Sequence, residues 1–370
     1  MKNNHLNYQV ALTLLEGIGP KNAKMLLSHM GNETNIFESK QNIKTTIPGL
    51  SKERFRKLNK SNALKEAEPI VEYIKKNKID TTFFTHSEYS QRLKQCADSP
   101  ILLYHKGDFD FNHPRPISIV GTRSMTRYGK QLINELLTTL KPFNIQVISG
   151  LALGVDGYAH RKCLELDIPT IGVLGHGLDY IYPAQHKSIA SQMIQTKGCG
   201  IITEFPNGTL PDRMNFPQRN RIVAGLSMTT IVIESGDKGG SLITANLAND
   251  YNRDVFAFPG DVNRPFSKGC NNIIRSNTAH LITSGKDFIS IMGWEEENKI
   301  KVRQMNLFDN LKGDDKLIAN TIKDAGKISI DILSLKLKKP VHTLSSTLLK
   351  LEIEGIVMSL PGKNYSLAIL

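Results

Sequence analysis

The 370-residue chain has no pair of cysteines close enough in sequence to hold a metal. Cys96, Cys163, Cys199 and Cys270 lie far apart, with no C-x-x-C among them, which argues against zinc. Most of them sit in or beside apolar or glycine-rich segments, as reduced thiols of a cytoplasmic protein do. The dinucleotide fingerprint G-x-G-x-x-G is missing: Gly121 stands alone, and Gly175-His176-Gly177 meets Tyr180 where a third glycine is needed. In Gly236-Asp237-Lys238-Gly239-Gly240-Ser241 the lysine precedes the paired glycines, so the phosphate loop of nucleotide triphosphatases is missing too. H-E-x-x-H and G-x-S-x-G do not occur. The opening MKNNHLNYQ has no apolar signal core, and no run approaches membrane-spanning length. The expectation is a protein without cofactor, metal or membrane partner.

What is present is positive charge. Forty-seven Lys and Arg against thirty-five Asp and Glu give a formal charge of +12. That fits an acidic partner such as nucleic acid, or only the solvated lysines of a basic proteome. Hydrophobic content of 40% and charged content of 22% are those of a globular chain, long enough for two or three domains.

The segment Phe216–Asn246 organises the rest. Arg219 and Arg221 flank Asn220 ahead of a helix-like Ile222–Leu226. Thr229–Glu234, TTIVIE, reads as a buried strand. Gly236, Gly239 and Gly240 then bracket Lys238, and Ser241 opens another helical pattern. A glycine turn between a buried strand and a helix leaves backbone N–H groups facing outward, where they and the helix dipole attract anions. Arg219, Arg221 and Lys238 are expected to add mobile positive charge. The reading is a phosphate-binding edge.

Residues 1–78 are helical in pattern. Gly17-Ile18-Gly19-Pro20-Lys21 resembles a helix-hairpin-helix turn, with a second copy at Ile47-Pro48-Gly49-Leu50-Ser51 followed by a basic helix, Lys52–Lys60. From 79 to 292, short apolar runs alternate with helices: Thr81–Phe84, then Ile117–Val120, Ile145–Ile148, Thr170–Leu174, Gly200–Thr203, Thr229–Glu234 and Val255–Phe258. The last six each end in glycine or a polar turn. This α/β pattern predicts a doubly wound, mostly parallel sheet whose ligand edge is at the strand C-termini. A polar linker covers 293–312. In 313–370, helices over Asp315–Lys323 and Ile328–Lys338, a third starting at Pro340, and a hairpin of Ile356–Leu360 with Tyr365–Ala368 predict a winged helix.

Four carboxylates fall on the ligand edge, namely Asp156, Glu204, Glu234 and Asp261. They are candidates for acid–base work, or for helix capping and loop hydrogen bonds; Asp156 is placed as an N-cap. His160 and His176 read as core or loop histidines. Phe216 and Tyr180 are candidates for base stacking. Arg123 is expected either to contact phosphate or to pin its loop by pairing with Asp156 or Glu204.

SIVGTRSMTRYG (118–129), VISGLALGVDGYAH (147–160), TIGVLGHGLDYIYPAQH (170–186), FPQRNRIVAGLS (216–227) and ESGDKGGSLITAN through FPGDV (234–262) together resemble the DNA-processing protein A (DprA, or Smf) family. The resemblance is specific over about 80–290. It implies an extended Rossmann-like domain, with a small N-terminal helical (SAM or helix-hairpin-helix-like) domain and a C-terminal winged helix. It also implies a non-enzymatic, cytoplasmic homodimer that binds single-stranded DNA and loads the RecA recombinase during natural transformation. The family's ligand positions fall on Gly121, Thr122, Arg123, Ser149, Gly150, Lys187, Arg219, Arg221, Lys238, Gly239, Gly240 and Ser241; no residue is implied as catalytic. Amides and cations holding phosphates, with few groups for reading bases, fit the reading from the residues themselves.

Two alternatives stand beside it. One is a nucleotide-releasing hydrolase of the lysine-decarboxylase-like fold, but the turn Lys238–Asn246 lacks that motif's second glycine pair and its downstream glutamate. The other is a transcription regulator acting through the winged helix.

Overall fold

A computed structural model describes residues 2–38, 58–294, 311, 313–360 and 362–368. The chain forms two compact units, Met1–Gly293 and Trp294–Leu370. The second hairpin copy at Ile47–Ser51, most of Lys52–Lys60 and most of the linker lie outside the described residues.

The first unit is built on a nine-stranded sheet. In chain order its strands are β1 (Asp80–Phe83), β2 (Leu102–Gly107), β3 (Pro116–Val120), β4 (Gln146–Ser149), β5 (Thr170–Val173), β6 (Gly200–Thr203), β7 (Thr229–Val232), β8 (Asp254–Ala257) and β9 (His280–Leu281). Spatially they run β1-β2-β6-β5-β4-β3-β7-β8-β9. From β6 to β9 all neighbours are parallel, and β1 and β2 add an antiparallel edge. Every residue of β3 to β7 is buried, because helices cover both faces and apolar side chains must serve both. β9 has only two residues, both exposed, and so carries no periodicity to read.

The chain lays β3 to β6 outward on one side of β3, then returns to place β7 on the other. One face is covered by α6 (Arg127–Leu140), α7 (Val155–Glu165) and α12 (Gly285–Ile291). The other is covered by α9 (Asn215–Leu226) and α10 (Gly240–Asp250). Between β3 and β7 the connections diverge, and a crevice opens at the strand C-termini. The helix α6 shows how such a layer is anchored. Thr126 Oγ1 accepts from Gly129 N–H at 3.3 Å, and Leu132, Ile133, Leu136, Leu137 and Leu140 face the core. Full burial of one such side chain contributes about 1.5–3 kcal/mol.

The N-terminal helices α1 (Lys2–Leu14), α2 (Pro20–Met30), α3 (Glu33–Glu38) and α4 (Lys60–Lys76) do not form a core of their own. Leu12, Leu26, Ala67 and Val71 pack in one cluster with Phe83, Leu102 and Tyr104 of β1 and β2. At the turn from α1 to α2, Gly17 takes a φ of 72°, where glycine is favoured, and Ile18 is buried.

The second unit contains α13 (Gly313–Ala325), β10 (Lys327–Ser329), α14 (Ile330–Leu337), α15 (Val341–Ile353), β11 (Val357–Leu360) and β12 (Asn364–Leu367). Its core includes Ile318, Ile322, Leu333, Leu344, Leu348 and Leu351. The helix expected over Ile328–Lys338 starts later. Ile328 pairs with Tyr365 in an added strand, and Ser329 caps α14.

Candidate functional site

The crevice between β3 and β7 is a cavity of about 640 Å³, a size common for ligand sites. The turns after β3, β4 and β7, the helix α9 and the start of α10 line it, joined by Tyr182 from the loop after β5 and Arg213 from the loop after β6.

At the turn after β7, Gly239 N–H donates to Gly236 O at 3.0 Å, and Ser241 Oγ donates to Ser235 Oγ at 2.8 Å. A Cβ on Gly239 would lie 2.3 Å from Ser235 Oγ, so the turn requires glycine there. Gly240 and Ser241 are the first residues of α10, and both border the cavity. Among the described residues nothing accepts from their N–H groups. These unpaired donors and the helix dipole form an anion-seeking end. Lys238 is exposed and does not line the cavity.

The turn after β3 is fastened to the end of β7. Thr122 N–H donates to Glu234 O at 2.8 Å. The Glu234 carboxylate accepts from Thr126 N–H at 2.9 Å and from Thr126 Oγ1 at 2.6 Å. Gly121 borders the cavity where a Cβ would lie 2.5 Å from Val155 Cγ2. Held this way, the loop leaves Arg123 exposed, its guanidinium carbon 5.3 Å from the centre of the Phe216 ring. Phe216 lies 6.0 Å from the Tyr182 ring. Among the described residues no carboxylate pairs with Arg123, because Asp156 faces Arg219 and Glu204 takes Arg221. Neither of the two pairings expected of a loop-pinning Arg123 is formed.

The expectation of mobile charge on Arg219 and Arg221 is corrected. Both lie inside α9, which begins seven residues before Ile222. Arg219 is 4% exposed and forms part of the cavity floor. Its Nη1 donates to Val173 O at 2.8 Å, and a Cβ on Gly150 would sit 1.7 Å from that nitrogen. Gly150 is therefore the gap through which Arg219 passes. Burial pulls Arg219 below the usual guanidinium range, with Asp156 opposing. Burial likewise pushes the Asp156 carboxyl up, while Arg219, the N–H groups of Ala152 and Gly150, and Ser149 oppose. Asp156 is not the N-cap of α7: that position is Gly154, and Asp156 sits in the first turn. Arg221 is outside the cavity lining. It forms an ion pair with Glu204, and its Nη1 donates to Asp98 O at 2.6 Å. Glu204 is raised by burial against the pull of Arg221.

Two other expected ligand positions stand apart from the cavity. Ser149 is fully buried and its Oγ donates to Ile119 O at 2.6 Å, tying β4 to β3. Lys187 is exposed at the start of α8 (Lys187–Gln195), outside the lining. Asp261 is also outside it. His160 is buried, its Nδ1 2.7 Å from Thr170 Oγ1, and burial pulls it down to about 3, with His186 and Arg219 adding to that. His176 Nδ1 is 2.9 Å from Gly177 O, and burial lowers it as well.

The cavity also gathers residues that the sequence reading passed over: Tyr182, Arg213, Asn220 and Ile243. Tyr182 takes the place expected of Tyr180, which lies outside the lining. Phe216 and Asn220 are four residues apart, a spacing that would have grouped them on one face had α9 been recognised from Asn215; Arg213 lies in the turn before it.

The profile of the DNA recombination-mediator protein A family matches residues 80–293. The protein Smf of Synechocystis sp. is 34% identical over 300 residues, 79% of this chain and 74% of that protein. The crystal structure of DNA processing protein A from Streptococcus pneumoniae superposes with a TM-score of 0.61 at 29% identity, over 77% of this chain and 97% of that one. DNA processing protein A from Helicobacter pylori, whose structure addresses its single-stranded DNA binding mode, gives a TM-score of 0.52 at 30% identity over 58% and 95%.

Proposed function

The chain belongs to the DNA recombination-mediator protein A family, and from that premise we propose that it binds single-stranded DNA, without base specificity, in the cavity between β3 and β7. The observation that carries this reading is the pairing of two unlike subsites in one crevice. The open N–H groups of Gly240 and Ser241 suit a phosphate, and the Arg123–Phe216–Tyr182 cluster suits the face of a neighbouring base. Arg213 adds a cation to the lining. Phosphate contacts position a strand without reading it, and stacking accepts any base. The lining carries one carboxamide, Asn220, among these amides and cations.

The same proposal has the bound strand handed to the RecA recombinase by a cytoplasmic homodimer acting in natural transformation. No helix among the described residues is long and apolar enough to cross a membrane. The carboxylates Asp156, Glu204 and Glu234 are each engaged in the scaffold, which favours binding over hydrolysis. Filter binding of single strands against duplex of the same sequence tests the core of the proposal. Preference for the single strand is the expected result, with homopolymers of the four bases agreeing within about tenfold. Preference for duplex would transfer the function to the winged unit. Recombinase-dependent ATP hydrolysis on strands precoated with a single-strand-binding protein tests the loading step, and light scattering tests the dimer.

A further inference from the structure

Behind the cavity, a single charged side chain joins the N-terminal helices to the loop on which both cleft helices rest. Lys24, on α2, reaches the loop that follows α5 (Gln91–Lys94). Its Nζ donates to Cys96 O at 3.2 Å, Ala97 O at 3.1 Å and Ser99 Oγ at 2.5 Å. The same loop is gripped from the cleft side. Arg221 of α9 donates to Asp98 O at 2.6 Å. Tyr251, directly after α10, donates its hydroxyl to Asp98 Oδ1 at 2.6 Å. The two helices that carry the stacking and anion subsites are thus fixed at one shared residue, and Lys24 holds the backbone before it and the Ser99 hydroxyl after it.

We propose that Lys24 is a positioning residue for the cleft: through the 95–99 loop it sets how α9 and α10 stand to each other, and so the spacing between the Phe216 and Gly240 subsites. The inference rests on the reading of the cleft as the single-strand site. Lys24 touches no cavity-lining residue, so it acts through Asp98, Arg221 and Tyr251. Asp98, Arg221 and the Cys96 thiol are the charged and titratable groups acting on Lys24, and Lys94 shares the Phe84 ring with it. Burial lowers Lys24 to about 8, against Asp98 and helped by Arg221. Loss of its proton removes the charge and one of three N–H donors.

The test is single-strand affinity, measured across salt and pH, for Lys24→Met, Tyr251→Phe and the double variant. The expected result is a loss of about three- to tenfold for each single variant. The double variant should be less than additive, because both changes release the same loop. The slope of log affinity against log salt should not change, since no phosphate contact is lost. Wild-type binding should weaken as pH rises through about 8, and Lys24→Met should lack that step. Unchanged affinity in folded Lys24→Met and Tyr251→Phe overturns the proposal. A slope reduced by about 0.7 overturns it as well, because it would make Lys24 a direct phosphate contact. Should Lys24→Met not fold, Tyr251→Phe alone decides, since it deletes one hydroxyl. Failure of the cleft reading itself has a different signature: Arg123→Ala and Phe216→Ala would bind like the wild type.

Discussion

Arg123 and His160 show how differently two ionisable side chains behave on either side of one loop layer. Arg123 is exposed, rests on Phe216 and has no carboxylate partner among the described residues. Its cation–π contact is worth about 0.5–1 kcal/mol at such a site. Arg123→Ala should therefore keep the melting temperature within a few degrees, weaken single-strand binding at low salt and flatten the salt slope by about 0.7. An unchanged slope with a large drop in melting temperature would return Arg123 to the scaffold. His160 is buried beside Thr170 and is held neutral, down to about 3 from an ordinary 6.5. Between those values the unfolded chain binds the proton that the folded chain refuses. The stability involved is present in full above pH 6.5 and is lost as pH falls toward about 3. Urea midpoints for His160→Asn should accordingly fall less steeply than wild-type midpoints between neutral and acid pH. Parallel curves would show that another group carries the acid sensitivity.

At the scale of the element, the start of α10 is the part that can be tested without disturbing its neighbours. Gly239 is the N-cap, with φ −68° and ψ 142°, a conformation that a following proline favours. Gly240 is the first helical residue, and a Cβ there meets nothing within 4 Å. Proline is tolerated at that position and lacks only the N–H that is already unpaired. Gly240→Pro should keep the unfolding free energy read from urea denaturation or raise it slightly, by about 0.4–1 kcal/mol at most. Single-strand affinity should fall about tenfold or more, the cost of one charge-assisted hydrogen bond of about 1.5 kcal/mol. Full affinity in this variant would place the phosphate elsewhere in the cavity. The neighbouring α9 divides its labour by geometry. Residues two apart on a helix lie roughly 200° apart, so Arg219 enters the cavity floor while Arg221 faces Glu204 and Asp98.

For the whole molecule, the boundary that matters lies at 293. A cut near residue 79 would strip α1 to α4 from Phe83, Leu102 and Tyr104, with which they share a core. A fragment of 1–293 keeps that core and the entire cavity lining, and should retain single-strand affinity within about threefold of the full chain. The fragment 313–370 has its own core, but its helix α15 is a poor reader of the major groove. Lys350, the only Lys or Arg of α15, is paired with Asp315 at 2.7 Å, and Leu349 and Ile353 are exposed. Retention on a filter by 313–370, and not by 1–293, would reverse the assignment.

Much of this was written locally in the chain. TTIVIE and the other β-branched runs are buried on both faces and can only be interior strands. Glycines that follow them fall on the C-terminal edge of a parallel sheet, so the ligand edge was determined as soon as the strands were. What a side chain on that edge does was settled by tertiary packing. FPQRNR carries no apolar period and begins a helix with proline inside its first turn, so the start of α9 was invisible, and with it the opposite directions of Arg219 and Arg221. Arg219 is buried only because Gly150, distant in sequence, leaves room and Asp156 supplies charge. Tyr182 and Arg213 reach the cavity because strand order brings their loops together. Local pattern determines which segments must be buried. Which polar groups then meet depends on contacts between residues far apart in the chain, and only the folded molecule sets those.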